Sequence, residues 1–411
     1  MKLKLPLVVL SSLCLISSPV WAQKDRFAYA ITDLTREGGG WNALRRIDLG
    51  SGTCSEVLLN GTEQKTVYDA ASKKPFTPAS DARLGNQVQL PFGTGVAAAA
   101  YDKKHNRLYF TPMFVDQLRY IDLKTMEVFY ITGQALTGMV NTNNDEGKIV
   151  TRMVITPDGD GYAITNDASS MVRFTTGKKP RIEQLGALVD DPSNNTISIH
   201  NRCSSFGGDM IADDQGNLYI LSAQKNVFVV NTKTKVARLL ASITQLPDGF
   251  TVNGAVVDAE GSLLVSSAVD GSSYYVVNPA TWSATAYTAS AGIYRSSDLA
   301  NSNFLSSGVT AREIPLIKQA AGTNSKAVSV YPNPVSSNTV RIQFHAIPNG
   351  DYTIELTDAV GRRVLQKQIT VNQEEQIQNL SLGNRRAQGS YVVRVINRGK
   401  QSVYIQKLLV Q

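Results

Sequence analysis

Residues 208–241, GDMIADDQGNLYILSAQKNVFVVNTKTKVARLLA, limit most tightly what this chain can fold into. Four short apolar runs, 210–212, 218–221, 227–230 and 236–240, are separated by turn residues. Asp213-Asp214-Gln215-Gly216-Asn217 reads as a tight turn because Asp, Asn and Gly tolerate positive φ. Asn231-Thr232-Lys233-Thr234 reads as another. Four antiparallel strands joined this closely make one propeller blade or one half of a sandwich.

Both turns recur. The first returns at 102–106, 157–161 and 258–261, with a weaker copy at 298–301. The second returns at 47–52, 121–125, 175–178 and 277–281. An all-strand period of roughly 40–55 residues belongs to propeller-like repeats rather than helical solenoids. Residues 27–31 read as a second strand with no first strand before it, and the missing one is supplied around 295–299. The two ends of the domain would then complete one blade and remove the open edge. The expectation is an all-β propeller over residues 23–310, with five blades, or six if 60–91 holds a degenerate one. An irregular β-sandwich is the alternative.

Residues 1–22 read as a signal peptide. Lys2 and Lys4 form its basic end, 5–16 its apolar core and Val20-Trp21-Ala22 its cleavage site. That core is too short for a transmembrane helix, no later segment qualifies, and no transmembrane segment is expected. Cys14 follows Leu13 rather than a small residue, which argues against lipidation. Cys54 and Cys203 lie on different repeats and are expected to be unpaired thiols. The net charge is +7, but residues 326–411 hold eleven Lys and Arg against five Asp and Glu. With the two leader lysines set aside, residues 23–325 carry −1. Such a propeller gives no reason to expect a nucleic-acid partner.

Insertions point to a working surface. Segments 60–91, 132–150 and 187–205 each join the last strand of one blade to the first strand of the next. With the long loop 33–42, DLTREGGGWN, they are expected on one face, where binding residues of repeat folds concentrate. Residues entering the first strands should ring the channel there: Arg152, Arg202, Phe206, Phe250, Asn253, Tyr294 and Arg295. Arg36 and Trp41 would overhang it, and His200 sits beside Arg202 and Cys203. Arg and aromatic side chains on such a rim suit a glycan, peptide or protein ligand. For each residue the alternative is that it packs or caps the channel.

Catalytic motifs are not visible. The three histidines, His105, His200 and His345, fall in a turn, an insertion and the tail. There is no HExxH, GxSxG or Gly-rich phosphate loop, and no catalytic residue is assigned. Asp158-Gly159-Asp160-Gly161 resembles part of a calcium loop but lacks the closing bidentate acid, so no metal or cofactor is expected. A hydrolase or lyase built from distant loops at the channel mouth stands as the competing function. A structural part of the surface layer is a third.

After residue 310 the pattern changes. Residues 311–327 read as a linker. Seven short strands follow at 328–331, 339–344, 350–356, 364–369, 375–380, 389–396 and 402–409, an Ig-like sandwich small enough to fold alone. Three motifs lie in this segment. The first is Tyr331-Pro332-Asn333-Pro334. The second is GDYTIELTDAVGRRV, starting at Gly350 and turning at Asp358 to Gly361. The third is Gly389-Ser390-Tyr391 and the strand it opens, followed by a last strand carrying Lys407. With these motifs residues 328–411 closely resemble the type A C-terminal sorting domain of the type IX secretion system of Bacteroidetes bacteria. The resemblance implies passage across the outer membrane by the type IX machinery, to the cell surface or medium. It also implies removal of the tail by a sortase-like surface protease, with cleavage within 318–328, and joining of the released end to anionic lipopolysaccharide. The repeats resemble secreted propellers of the NHL or YVTN kind, which implies a fold and no activity.

Overall fold

The computed structural model describes residues 24–139, 145–194, 197–289, 292–307 and 328–410, except 334, 336, 337, 346, 359–362, 374, 383–388, 400 and 401. The leader and linker proposed above lie outside the described residues. The chain divides into two compact units, Met1–Val309 and Thr310–Gln411.

In the first unit the strands form five antiparallel blades around a common axis. Blade one orders Ser296–Ala300, Phe27–Thr32, Ala43–Asp48 and Leu59–Asn60 from the inside out, so the last strand of the unit sits beside the first. Blade two runs from Val96–Asp102 through Arg107–Pro112 and Arg119–Asp122 to Glu127–Tyr130. Blade three comprises Val150–Ile155, Asp160–Thr165, Met171–Thr175 and Ile182–Gly186. Blade four comprises Asp209–Ala212, Leu218–Leu221, Asn226–Val230 and Val236–Ser242. Gly254–Val257, Leu263–Ser266, Tyr274–Asn278 and Ser283–Tyr287 make blade five. Each inner strand packs against those of the two neighbouring blades, and the ring closes between blades five and one. This is a five-bladed propeller.

Segment 60–91 holds no sixth blade. Its strands Val67–Asp69 and Pro75–Phe76 are too short to bury a face of their own. They extend blade two instead, the first running parallel to Glu127–Tyr130. Val189–Asp190 covers the outer strand of blade four in the same way. Both additions hide backbone groups that an outer edge would otherwise expose. The weak turn copy at 298–301 is also corrected. Asp298 to Ala300 lie in the inner strand of blade one, with Asp298 opposite Ile31. Blade one needs no first turn, because its inner two strands come from opposite ends of the unit.

Four of the five copies of the second turn share one mechanism; the copy at 175–178 is closed differently, with Thr175 Oγ1 accepting the Arg181 N–H. In the four, an Asp or Asn side chain accepts backbone N–H bonds from residues two or three further on, and the fourth residue on adopts positive φ. Asp48 accepts from Gly50 and Ser51, Asp122 from Lys124 and Thr125, and Asn231 from Lys233 and Thr234. Asn278 accepts from Ala280. Gly52, Met126, Lys235 and Trp282 then take φ of 69°, 59°, 60° and 54°. The side chain supplies a local partner that sets the turn, so even Trp is held in the left-handed region.

Inner and second strands read as unbroken apolar runs because neighbouring blades cover both of their faces. Leu218–Leu221 and Gly254–Val257 are buried throughout, whereas the outer strand Val236–Ser242 is mostly half-buried. Between blades lie separate apolar layers. Phe110, Ile121 and Tyr130 of blade two meet Leu44 of blade one, and Ile220 and Phe228 of blade four meet Ile164 of blade three. Each such side chain contributes about 1.5–3 kcal/mol by leaving water.

The second unit is a seven-stranded sandwich. Val328–Tyr331, Thr339–His345 and Glu375–Ser381 form one sheet. Arg363–Val371, Gly350–Asp358, Gly389–Asn397 and Ser402–Val410 form the other. Alternate residues point inward, so Val340, Ile342 and Phe344 meet Ile354, Leu356, Val393 and Val395 in one core.

Candidate functional site

The long connections leave the ring on the face from which the inner strands start. A hollow on that face lies between blades five and one. Loop 33–42 is folded around Asp33, whose carboxylate accepts the N–H groups of Thr35 at 3.1 Å and Gly40 at 2.6 Å. A Cβ on Gly38 would lie 2.2 Å from that carboxyl group, so the loop closes only with glycine there. The fold of the loop carries Arg36 and Glu37 against the connection that leads from blade five back to blade one. Arg295 stitches the two together: its N–H donates to the Arg36 carbonyl at 3.3 Å and its Nη1 to the Glu37 carbonyl at 2.9 Å.

Tyr294 stands between two guanidinium groups. Arg45 lies 4.0 Å from its ring centre on the buried side and Arg36 lies 5.6 Å away. Arg45 is held by the carbonyls of Ser55 and Leu34 at 3.0 and 3.2 Å. Arg36 and Arg295 line a hollow of about 720 Å³, together with Asp270, Ser272, Thr288 and Gly292 among others. No acid lies within ion-pair distance of Arg36, Arg45 or Arg295 among the described residues. The Nε atoms of Arg45 and Arg295 are buried without a hydrogen-bond partner.

The other expected rim residues are spread out. Arg152 is fully buried and donates to the carbonyls of Thr165, Asn166, Ser205 and Gly207. Burial pulls its pKa down to about 10, which leaves it charged at neutral pH. Phe250 is 1% exposed and meets Tyr275 edge-on at 4.9 Å. Both belong to the packed wall and are out of reach of a ligand on the face. Arg202 is exposed and pairs with Glu146 at 3.1 Å. The ring nitrogens of His200 face the carbonyls of Asp167 at 2.7 Å and Leu188 at 3.2 Å. Phe206 is half-buried, and its carbonyl accepts from Ala223 N–H at 3.3 Å. The Asn253 side chain accepts from Ala268 N–H at 3.0 Å and Thr251 Oγ1 at 2.6 Å. Trp41, at φ 50°, packs on the apolar layer between blades one and two. Arg36, Tyr294 and Arg295 therefore come together, and the remaining seven do not join them. Cys54 and Cys203 are both free.

Sequence reasoning missed a pair of acids in the channel. Asp209 heads the inner strand of blade four, and Asp298 lies in that of blade one; both are fully buried. Asp209 accepts the N–H groups of Met210 and Ala255, each at 2.6 Å. No hydrogen bond of ordinary geometry reaches either oxygen of Asp298, although the Ala99 N–H and the Asp209 carboxyl lie close enough to act on its ionisation. Burial pushes Asp209 up to about 8, and burial together with the nearby Asp209 pushes Asp298 well above the usual carboxylate range. Two carboxyls this close and this dry cannot both ionise, so the pair retains a proton at neutral pH. The backbone donors around Asp209 suit a carboxyl rather than a cation. Among the described residues no group of three or more His, Cys, Asp or Glu is placed to hold a metal. The signal was an acid inside an apolar inner run, which SSDLA at 296–300 carries and which reads equally well as a turn.

In the second unit the three tail motifs meet. Tyr331 ends the first strand, its hydroxyl 3.1 Å from Gln343 Oε1, and the Tyr331–Pro332 bond is cis. Asn333 Oδ1 accepts the N–H of Leu409 at 2.9 Å, which ties the first motif to the last strand. The strand opened by Gly350 pairs with the strand opened by Gly389, with Asp358 opposite Tyr391. Tyr391 is buried, and Lys407 lies opposite Val392. Pro334 and Gly361 lie outside the described residues.

Comparison with known families and structures bears on this unit first. Residues 329–411 match the secretion system C-terminal sorting domain family. That domain marks the chain for export by the type IX secretion system to the cell surface or extracellular space. No curated protein matches the chain. Among solved structures the chain is similar to PorZ, a surface component of the type IX secretion system of Porphyromonas gingivalis, at 16% identity and a TM-score of 0.31. The match covers 93% of this chain and 51% of PorZ, so the chain spans about half of that neighbour's length. Virginiamycin B lyase from Staphylococcus aureus is similar at 10% identity and a TM-score of 0.33, over 93% of this chain and 95% of the lyase. A chain of the nidogen/laminin complex is similar at 13% identity and a TM-score of 0.38, over 83% of this chain and 92% of the other.

Proposed function

We propose that the propeller is a binding module delivered to the cell surface, with a glycan, peptide or surface-protein ligand on its insertion face. The observation that carries this reading is that the long connections and loop 33–42 leave the ring on one face, with a hollow beside loop 33–42. The first-to-second-strand turns at the other end are short and capped by their own Asp side chains, as at Asp213 and Asp258. Rigid scaffolds with elaborated loops on one side bind there. The channel acids lend no support to the hydrolase or lyase alternative, because both are fully buried and out of contact with any ligand on the face.

The tail is proposed to be removed by a sortase-like surface protease between residues 318 and 328, and the released end joined to anionic lipopolysaccharide. The leader 1–22 would direct the first export step. Deleting residues 328–411 is expected to trap a folded propeller in the periplasm, read by fractionation and protease resistance. Normal surface display of the truncated chain would overturn the cargo reading. For the binding reading, the exported chain is incubated with arrays of glycans and of host-surface proteins. Retained ligand that is lost on shortening loop 33–42 is the expected result. Turnover without retention would replace binding by catalysis.

A further inference from the structure

Several arginines elsewhere in the propeller are engaged by the fold, although the Nε atoms of Arg107 and Arg152 are buried without a partner, as are those of Arg45 and Arg295. Arg119 donates to the carbonyls of Val88, Leu90 and Pro91 and to Gln117 Oε1. Arg152 is held by four carbonyls, and Arg173 and Arg202 are ion-paired. The hollow between blades five and one is different. A guanidinium has five N–H donors in a planar fork. Arg36 donates to no described residue and rests on Tyr294. Arg295 spends only Nη1 on a carbonyl, and its Nε is buried with nothing to receive its hydrogen. An unmet Nε is therefore not peculiar to this hollow; what sets Arg36 and Arg295 apart is that both line an open cavity, where a ligand can supply acceptors that the fold does not.

We propose that this hollow receives the acidic group, a carboxylate or sulfate, of a saccharide, with Arg36 and Arg295 as its partners. The inference rests on the reading of the insertion face as a binding surface and names the ligand class. The edge of a guanidinium matches two oxygens of one oxyanion, and its weak hydration makes that exchange favourable. Glu37 and Asp270 also line the hollow, but Asp270 accepts the N–H of Ser272 at 2.8 Å and is committed to its own loop. Arg45 is buried behind Tyr294 and outside the lining, so Arg36 and Arg295 face these two acids in equal number, and Glu37 is the acid not committed to a loop of its own. The rest of the wall suits sugar hydroxyls: Ser272 and Thr288 offer hydroxyl groups, and Gly271 and Gly292 leave backbone within reach. Among the described residues of the lining, Ile293 is the one large aliphatic side chain and Tyr287 the one aromatic, which gives the wall apolar patches between its polar groups, as a sugar ring needs.

The test uses the full chain in calorimetric titrations with three hexasaccharides: hexagalacturonate, a sulfated galactan hexamer and the neutral galactan hexamer. At least one acidic hexamer is expected to bind, and the neutral one at least tenfold more weakly, with affinity falling as salt rises. The preference between the two acidic hexamers identifies the group. Arg295→Ala and Arg36→Glu should each lose about tenfold or more, and Arg36→Lys less, because it keeps the charge without the fork. Equal binding of the neutral hexamer would overturn the acidic-ligand assignment, and acidic binding unchanged in both variants would overturn the site; either result leaves the binding reading standing. No binding by either acidic hexamer also overturns the inference, and the array experiment above then decides separately whether the face binds anything.

Discussion

Arg119 of blade two and Arg152 of blade three are packed among carbonyl oxygens inside the fold, whereas between blades five and one Arg36 and Arg295 face an open hollow. Arg119 and Arg152 are fully buried, and each donates to three or four backbone carbonyls. They act as struts between loops. Lys148 joins that sector by pairing with Asp167 at 2.7 Å. Arg36 and Arg295 lie instead on the connections that flank the hollow, where the fold converges fewer carbonyls on them. What separates the two sectors is therefore where acceptors are placed, not how many arginines there are. A residue type that looks like a ligand-binding signal in sequence is structural wherever carbonyls converge on it.

The largest effect should come from a strut. Arg152→Ala removes four hydrogen bonds from a charged donor and leaves buried carbonyls unmet, at a cost of about 4 kcal/mol. Arg36→Ala touches an exposed side chain with no hydrogen bond and should stay within about 0.5 kcal/mol. Urea denaturation of both variants reads the difference directly. Equal losses would remove the distinction between the sectors.

A second prediction concerns the acids beneath them. The folded pKa values of Asp209 and Asp298 are raised, so the native state holds protons that the unfolded chain releases above about pH 4. Their contribution is fully present below that pH and is lost as pH climbs through about 8, the region where Asp209 titrates. Asp298→Asn keeps the shape without the titration. It should flatten the decline in thermal stability between pH 5 and 9 and leave the variant relatively more stable at the alkaline end. Identical slopes for the two proteins would mean the pair is solvated rather than dry.

Blade number, ring closure and the seven strands of the tail were legible because turn chemistry and apolar periodicity are local signals. Asp48, Asp122, Asn231 and Asn278 announce their turns within five residues. The site was legible only in part. Arg36, Tyr294 and Arg295 could be placed on the right face, but nothing in the sequence distinguishes them from Arg152 or Phe250. That distinction depends on acceptors contributed by residues more than ten positions away, such as the Ser205 and Gly207 carbonyls on Arg152. Asp298 failed for a related reason. Residues 295–299 read as the missing strand, but the small polar Ser296 and Ser297, which hydrogen-bond to Ser266 and Val96, leave Asp298 open to a turn reading over 298–301.

The smallest predicted effect probes the open sector most selectively. A Cβ at Gly292 would stand 2.0 Å from Arg36 Nη1 and 2.5 Å from its Cζ. The obstructed atoms are the far end of a flexible side chain, so Gly292→Ala should be accommodated by Arg36 swinging away, with a stability change within about 0.5 kcal/mol. Arg36 would then leave the ring of Tyr294 and present its fork elsewhere, while Arg295, fixed by the Glu37 carbonyl, stays in place. Affinity for an acidic hexasaccharide should fall by a few fold, less than on losing either arginine, and the salt dependence should weaken in step. An unchanged affinity with an unchanged melting curve would mean that Arg36 serves the ligand from any rotamer. The contrast between the sectors would then rest on Arg295 alone.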